Sequence, residues 1–265
     1  MDNKLYEIIF KRKSFHLFMN VGDEKITQEE LDDVNNAFEH FEPLYKDIKV
    51  KMRIVKESET TCHRKAEYCL LLYSENKDGY LQNIGYIGEQ LDLYLVSKNI
   101  GTLWFGIGKV EEKEFDGLEY VIMIAIRKIS DQSKYRKDMY KSKRKDVEEI
   151  WNGPLIEGVS DIIRFAPSAC NSQPWLVKNN ETLEVYRYKK EGKRGIMPAK
   201  AVSFYNRIDI GIFMCFLELC LNKQNIKYTK ELYSDDGLLD ELTLNAKYII
   251  KNGSYSLSEV GIYNE

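Results

Sequence analysis

The residues with the clearest chemical potential lie in the segment RFAPSACNSQPWLV, residues 164–177. Pro167 and Pro174 restrict the backbone on either side of a run of small and carboxamide side chains. Small residues let a flat ligand approach closely, and the carboxamides of Asn171 and Gln173 can donate and accept hydrogen bonds at once. This combination suits a heteroaromatic ring whose edge alternates carbonyl and NH groups.

Two other stretches are rich in cations. The stretch FKRKSFHLF, residues 10–18, places Arg12, Lys13 and Ser14 at the end of a predicted helix, where cations also complement the helix dipole. The run KYRKDMYKSKRK, residues 134–145, has seven Lys or Arg in twelve positions. It is typical of a solvated linker, and the alternative is that some of its cations meet an anion such as a phosphate.

Several common site types lack their motifs in this sequence. No GxGxxG follows a predicted strand, and GIGK at 106–109 and GKRG at 192–195 do not have P-loop spacing. GxSxG and HExxH are also missing, and three histidines leave little material for a Ser-His-Asp or Cys-His site. The five cysteines form no CxxC, so we expect reduced thiols in a core and no metal site.

Composition narrows the class of protein. With 265 residues, 43% of them hydrophobic, the chain can bury a large core, and its formal charge of −3 argues against general nucleic-acid binding. The N-terminus has no signal-like apolar region, and the most apolar stretch, 208–221, carries Asp209 and Glu218. We therefore expect a cytoplasmic protein with no membrane span and no nucleic-acid partner.

Hydrophobic periodicity predicts mixed helices and strands. The predicted elements are helices over 2–12, from Thr27 onward and over 81–98, and strands over 48–55, 67–73 and 120–126. Thr27 and Glu30 form a capping-box pattern, Asp2 is a candidate N-cap, and Gly101 is expected to end the long helix.

The two halves of the chain echo each other. At a shift of 126 positions the matching residues are Gly85 and Gly211, Leu91 and Leu217, Asp92 and Glu218, and Asn99-Ile100 and Asn225-Ile226. FEP at 41–43 lies over FAP at 165–167 at a shift of 124. Chance overlap of amphipathic patterns is the alternative, but the repeated order of elements predicts a duplication with half-copies 1–140 and 141–265.

These segments resemble motifs of one family, the FMN-dependent nitroreductases. Residues 164–177 closely resemble its APSxxNxQPW segment, and RKS at 12–14 resembles its RRS motif. NIGTLWFG at 99–106 is similar to its GLGTxWxG segment, and KSKRKDVEEI at 141–150 is similar to its basic KxR run followed by PLEEV. The chain most resembles the short, internally duplicated branch of the family, over about residues 4–251.

The resemblance implies an α+β fold, a nitroreductase-like α-β-α sandwich with a mixed, mostly antiparallel sheet and two interleaved half-copies. Proteins of the family are intertwined homodimers that bind FMN at the interface, with RRS from one subunit and PSxxN from the other. Here the first half holds RKS and GTLWFG, and the second holds APSACNSQPW. We therefore expect a fused pseudo-dimer with one complete site, existing as a monomer or a weak homodimer.

The resemblance also assigns roles to residues around a bound FMN, with NAD(P)H as electron donor. It implies that Arg12, Lys13 and Ser14 bind the phosphate and the ribityl chain. It also implies that Lys141, Lys143 and Arg144 add positive charge at the phosphate. The residues implied to line the isoalloxazine ring are Pro167, Ser168, Ala169, Asn171 and Gln173. The backbone of Trp104, Phe105 and Gly106 is implied to approach the ring near N5. No catalytic acid or base and no metal ligand is expected.

The implied activity is hydride transfer from NAD(P)H to flavin N5, followed by reduction of a nitroaromatic, a quinone or a similar small acceptor. Reductive dehalogenation or flavin fragmentation on the same fold is one alternative, and a flavin-binding or degenerate non-catalytic protein is the other. Cys170 is interpreted as a small packed side chain, with redox sensing as its alternative. Trp104 and Trp175 are interpreted either as core residues or as partial contacts of flavin or substrate.

Overall fold

Two structural units divide the chain, Met1–Lys141 and Ser142–Glu265. The computed structural model describes residues 4–189, 195–235 and 241–251. The described helices and strands of the first unit are α1 (Lys4–Lys11), α2 (Gln28–Phe38), β1 (Val50–Lys56), β2 (Tyr68–Ser74), α3 (Tyr80–Ser97), β3 (Ile100–Trp104), β4 (Glu114–Phe115) and β5 (Leu118–Lys128). Those of the second unit are α4 (Val147–Ile150), β6 (Trp151–Asn152), α5 (Ser160–Ile163), β7 (Trp175–Asn179), β8 (Leu183–Tyr188), α6 (Ala199–Lys223), β9 (Tyr228–Leu232) and β10 (Leu242–Ile250).

The sheet of the first unit has the strand order β1-β2-β5-β3, and β4 pairs with β5. All of these pairings are antiparallel. Helix α3 is buried around nearly its whole circumference, including polar positions such as Glu89 and Asp92. A helix buried on all sides normally carries apolar residues there, so buried carboxylates on α3 need a specific explanation.

Several predicted elements of the first unit are confirmed, but Gly101 does not terminate the long helix as predicted. Thr27 Oγ1 accepts from the amide of Glu30 at 3.2 Å and Glu30 Oε2 accepts from the amide of Thr27 at 3.0 Å, which is the predicted capping box. Helix α3 ends at Ser97, Asn99 two positions later takes φ 60°, and Gly101 lies inside β3. Asparagine tolerates the left-handed region because its short side chain can hydrogen-bond locally, so no glycine is needed. Asp2 lies outside the described residues.

The second unit has the strand order β6-β7-β8-β10-β9. Among the described strands, β6 and β7 form the one parallel pair, and the other pairings are antiparallel. Trp175 on β7 is 1% exposed and stacks on Phe213 of α6 with ring centroids 4.8 Å apart. The predicted α+β class with mostly antiparallel strands is thus confirmed, and Trp175 is a core residue.

The two units have the same topology in their main elements. Each runs through two paired strands, a long buried helix and two further strands, and β7-β8-β10-β9 repeats the pairing order of β1-β2-β5-β3. Each long helix is followed by an asparagine with positive φ, 60° at Asn99 and 56° at Asn225.

Buried side chains on the two long helices make equivalent contacts. Asp92 accepts hydrogen bonds from residues 10 and 12 positions later, Thr102 and Trp104, and Glu218 accepts from Tyr228 and Lys230, also 10 and 12 positions later. We propose that the units are copies of one ancestral unit, because a chance resemblance would not repeat the same side-chain contacts. The interleaving of the half-copies stays a prediction.

Among the described residues, no helix combines the length and apolar character needed to cross a membrane.

Candidate functional site

Two of the predicted cofactor-binding segments lie side by side in the first unit. Ser14 forms a parallel β-bridge with Thr102, and the amide of Phe15 donates to the carbonyl of Thr102 at 2.9 Å. The backbone therefore holds the RKS segment against β3, whose last residue is Trp104. Residues 12–14 and 99–106 belong to one local structure, although about 90 positions separate them.

Asp92 connects these two segments through its side chain. Arg12 is 3% exposed, and its Nε and Nη2 both donate to Asp92 Oδ2, at 3.0 and 2.8 Å. Thr102 Oγ1 donates to Asp92 Oδ1 at 2.5 Å, and Trp104 Nε1 donates to Asp92 Oδ2 at 2.9 Å. The guanidinium predicted to meet a phosphate is thus already paired with a buried carboxylate.

A second carboxyl group lies beside this ion pair. Glu89 is fully buried, and neither of its oxygens has a hydrogen-bond partner among the described residues. Burial and the neighbouring charge of Asp92 raise the pKa of Glu89 well above its usual range, and Arg12 opposes them. Burial and the charge of Asp92 therefore favour the neutral, protonated form of Glu89.

The other predicted residues of the first unit differ in burial: Lys13 is exposed, Gly106 is half-buried and Phe105 is buried. Lys13 is exposed, and its Nζ donates to the carbonyl of Lys134 at 2.8 Å. Phe105 is 8% exposed, and its amide donates to the carbonyl of Met123 at 2.9 Å. Gly106 is half-buried in the turn after β3. Gly106 thus presents accessible backbone, whereas the ring of Phe105 belongs to the core.

Residues 164–177 of the second unit, the predicted ring-binding segment, have an unusual backbone. Cys170, Asn171 and Gln173 have φ values of 50°, 54° and 47°. Non-glycine residues in this region cost free energy, of order 1 kcal/mol each, and persist where surrounding contacts hold them. Here the hydroxyl of Ser168 accepts from the amide of Gln173 at 3.0 Å. Burial varies along the segment: Pro167 and Gln173 are buried, Ser168 and Ala169 are half-buried, and Cys170 and Asn171 are exposed.

Two predicted residues of the basic run contact this segment. Arg144 Nη1 donates to Asn171 Oδ1 at 2.8 Å, and Asn171 Nδ2 donates to the carbonyl of Lys143 at 3.0 Å. The amide of Lys145 donates to Gln173 Oε1 at 2.8 Å. Lys141 differs, because its side chain is 84% exposed and meets a carboxylate oxygen of Asp138 at 3.8 Å. Its assignment near a phosphate stays a prediction.

Cys170 is exposed, so its interpretation as a packed side chain is wrong. The cause is a local turn with positive φ at Cys170 and Asn171, which leaves these two side chains exposed. The other four cysteines are buried and form no disulfide, as expected for reduced thiols in a core. No group of three or more His, Cys, Asp or Glu in the described ranges could hold a metal ion.

Comparisons with known proteins bear on what these segments are for. A family model described as "Putative TM nitroreductase" matches residues 4–221. The chain belongs to this nitroreductase family. A Thermotoga maritima protein described as a "putative nitroreductase" shares 17% identity with it, with 93% of each chain covered and a TM-score of 0.59, which shows a common fold.

Smaller nitroreductase structures match parts of the chain. A Desulfovibrio desulfuricans protein described as a "putative nitroreductase in complex with fmn" is 14% identical and covers 59% of this chain and 100% of its own, with a TM-score of 0.40. A "nitroreductase family protein" from Clostridium novyi NT is 17% identical and covers 51% of this chain and 88% of its own, with a TM-score of 0.38. No curated protein matches the chain.

The residues of this nitroreductase-family chain fit FMN by the chemistry of their donors. Lys13 supplies an exposed ammonium and Ser14 a half-buried hydroxyl next to β3. In the second unit Asn171 supplies an exposed carboxamide. Its described contacts use one donor hydrogen and one acceptor lone pair, so one of each remains for a ligand. These groups match a phosphate, ribityl hydroxyls and the polar edge of a flavin ring.

Sequence reasoning missed a residue on α6 that supports the ring-binding segment. Asp209 is 2% exposed and accepts from the amide of Ala169 at 2.9 Å, from Ser172 Oγ at 3.3 Å and from Asn206 Nδ2 at 3.2 Å. Burial raises the pKa of Asp209 to about 7, although these hydrogen bonds oppose the shift. A carboxylate inside the most apolar stretch of the sequence was the available signal. Asp92 carries the same signal in the first unit.

Trp104 packs closely against Gly88 of α3, and we predict that Gly88→Ala forces it to move. A Cβ at position 88 would lie 2.4 Å from Trp104 Cη2 and 3.2 Å from Leu72 Cδ1. Overpacking of this kind typically costs about 1–3 kcal/mol, and here it would also disturb the Trp104 hydrogen bond to Asp92. Urea unfolding at neutral pH measures the loss.

The matched control for this prediction is Gly88→Ala combined with Trp104→Phe. A phenyl ring has no Cη2, so the double variant should lose less than the sum of the two single changes. Additive losses would show that the Gly88–Trp104 contact is not what limits the size of residue 88. In the second half, the residue that corresponds to Gly88 is Met214, and the residue that corresponds to Trp104 is Lys230. A large residue at 214 is expected, because no indole ring occupies the corresponding space.

Proposed function

We propose that this nitroreductase-family protein binds FMN and uses NAD(P)H to reduce nitroaromatics, quinones or similar small acceptors. The observation that carries the proposal is the pairing of Ser14 with Thr102, which joins the RKS and GTLWFG segments. The resemblance assigns these segments to the phosphate and ribityl chain and to the N5 region of one flavin. Membership of the family over residues 4–221 supports an oxidoreductase.

FMN, when bound, would supply the redox chemistry, accepting hydride at N5 and passing electrons to the acceptor. The chain's own residues would bind and orient it. The Asn171 side chain is preorganised, because its hydrogen bonds with Arg144 and with the carbonyl of Lys143 fix the plane of its carboxamide. A donor held next to the pyrimidine edge of the ring would stabilise negative charge there. We assign no side chain a general acid or base role.

The resemblance assigns residues 12–14 and residues 167–173 to the same flavin. This predicts one FMN per chain. It also predicts that changes in either set, such as Ser14→Ala or Asn171→Ala, weaken the same binding event. Two flavins per chain, or a response to only one of the variants, would contradict the single composite site.

The first experiment is an absorbance spectrum of the purified protein, followed by titration with FMN. We expect flavin bands in the parent, and a dissociation constant about tenfold higher for Asn171→Ala, because roughly one hydrogen bond to the ring would be lost. Asn180→Ala is the matched control, since Asn180 is exposed at the turn between β7 and β8. A colourless parent that also ignores added FMN would overturn the proposal.

Turnover separates the proposed activity from its alternatives. Oxidation of NADH or NADPH coupled to reduction of a quinone or nitroaromatic supports the proposed reaction. Bound FMN without turnover would instead indicate a non-catalytic flavin-binding protein. Bound FMN with little quinone reduction but loss of halide from a halogenated substrate, or breakdown of the flavin itself, would indicate the dehalogenase or flavin-fragmenting alternative.

A further inference from the structure

The start of the basic run lies against the RKS segment in the first unit. Lys13 Nζ donates to the carbonyl of Lys134 at 2.8 Å, and the amide of Arg136 donates to the carbonyl of Lys11 at 3.2 Å. Between these contacts, the ring of Tyr135 packs edge-on against Phe15 with centroids 5.6 Å apart. Residues 134–136 therefore line residues 11–15, and cations from two distant parts of the sequence meet here.

Most cations of this cluster already have partners. Arg12 is paired with Asp92. Lys11 Nζ donates to Asn99 Oδ1 at 2.7 Å and lies 4.3 Å from the centroid of the Tyr135 ring. Lys134 Nζ lies 3.8 Å from a carboxylate oxygen of Asp131. These contacts use up much of the positive charge that the sequence places around residues 11–13.

Arg136 is the exception. Its side chain is half-buried, and in the described part of the chain its guanidinium makes no hydrogen bond or ion pair. Burial and the neighbouring charge of Arg12 lower the pKa of Arg136 to about 10, so the group is still charged at neutral pH. A half-buried charge without a counter-charge is unfavourable, and an anion in contact with it would relieve that cost.

We propose that Arg136 binds a phosphate monoester and that Lys13 supports it from the neighbouring segment. A guanidinium suits this ligand, because its planar fork can donate two parallel hydrogen bonds to two phosphate oxygens. This inference rests on the proposed function in one respect, which is that the phosphate belongs to FMN. The inference assigns the main phosphate contact to Arg136 and not to Arg12, which lies 124 positions earlier. Both described donor contacts of Arg12 go to Asp92.

The test compares FMN with riboflavin, which has the same ring and ribityl chain but no phosphate. Titrations monitored by flavin fluorescence would use the parent, Arg136→Gln and the control Lys137→Gln, which removes a charge from the exposed neighbouring residue. We expect Arg136→Gln to lower the preference for FMN over riboflavin by about 10- to 100-fold, the usual range for a charge-assisted contact. The affinity of Arg136→Gln for riboflavin should equal that of the parent. Lys137→Gln should keep the parent's preference for FMN.

Folding does not confound the comparison. Arg136→Gln removes an unpaired charge, so its urea unfolding midpoint should equal or exceed that of the parent. Arg136→Lys should keep part of the FMN preference, because it retains the charge and loses the fork. If the parent prefers FMN and Arg136→Gln prefers it equally, the inference is wrong while the proposed function stands.

Inorganic phosphate tests the anion site without any flavin. If the parent binds neither FMN nor riboflavin, the proposed function fails, but the anion site can still be examined. A thermal midpoint that phosphate raises over chloride at equal ionic strength, in the parent but not in Arg136→Gln, would support a general phosphate site. Equal midpoints in the two salts would then overturn the inference.

Discussion

Replacing Asp92 by asparagine is expected to lower the free energy of unfolding by about 3 kcal/mol, since breaking a buried ion pair from one side leaves a buried charge. Arg12 is 3% exposed, and both of its described donor contacts go to Asp92. The variant also weakens the acceptor for Thr102 and Trp104. Urea denaturation at neutral pH, followed by circular dichroism, measures the loss.

Glu89 makes this prediction more specific. In Asp92→Asn the repulsion from Asp92 disappears while the attraction of Arg12 remains, so the pKa of Glu89 falls and its carboxylate can partly replace the lost charge. The double variant Asp92→Asn with Glu89→Gln should therefore lose more stability than the sum of the single variants. An additive result would show that Glu89 does not compensate.

Glu218→Gln is the matched control in the second unit. Glu218 makes the equivalent contacts with Tyr228 and Lys230, but the Lys230 side chain is 26% exposed and can turn towards water. We expect a smaller loss than for Asp92→Asn. If the two variants lose the same amount, the buried charge of Arg12 is not the cause. Asp92→Asn should also weaken flavin binding more than Glu218→Gln, because Asp92 contacts both the RKS and the GTLWFG segments.

Replacing Asp209 by asparagine is expected to remove a pH dependence of stability. The pKa of Asp209 is raised by burial from an ordinary value of 3.8 to about 7. The folded state therefore holds one more proton than the unfolded chain between these pH values. The stability contributed by this group is fully present below about pH 4, falls as the pH rises to about 7, and is then constant.

The expected size of this effect is large. Each unit of pKa shift corresponds to about 1.4 kcal/mol, so Asp209→Asn should gain about 4 kcal/mol relative to the parent between pH 4 and pH 8. The amide keeps an acceptor for the amide of Ala169, which limits the structural disturbance. Urea unfolding of both proteins across this pH range measures the difference. A constant difference would show that Asp209 titrates normally in the folded protein.

The first unit offers a reciprocal control. The position 126 residues earlier is Asn83, whose Oδ1 accepts from the amides of Leu44 and Tyr45 at 2.8 and 3.0 Å. Asn83→Asp should introduce a comparable pH dependence, with stability falling as the pH rises above about 4, because it places a buried carboxyl group where none exists. The pair of exchanges thus separates an effect of charge from one of hydrogen bonding.

The local patterns of the sequence predicted the elements that depend on neighbouring residues. The capping box at Thr27 and Glu30 and the strands around 67–73 and 120–126 have the predicted positions. Helix caps and strand periodicity reflect hydrogen bonds and burial within a few residues, and these can be read from one segment. The residue with positive φ after α3 was predicted to be Gly101 and is Asn99, because both residue types can adopt the required backbone conformation.

The sequence by itself predicted which segments would carry the site: RKS, GTLWFG, the ring-binding segment at 164–177 and the basic run at 134–145. Only the tertiary structure decided which of their charges are already satisfied. Arg12 pairs with Asp92 across 80 positions, Arg144 with Asn171 across 27, and Arg136 has no such partner among the described residues. The physical reason is that a charge is balanced through space. A chain with 39 cations and 42 anions offers far more possible pairs than packing brings within hydrogen-bond distance.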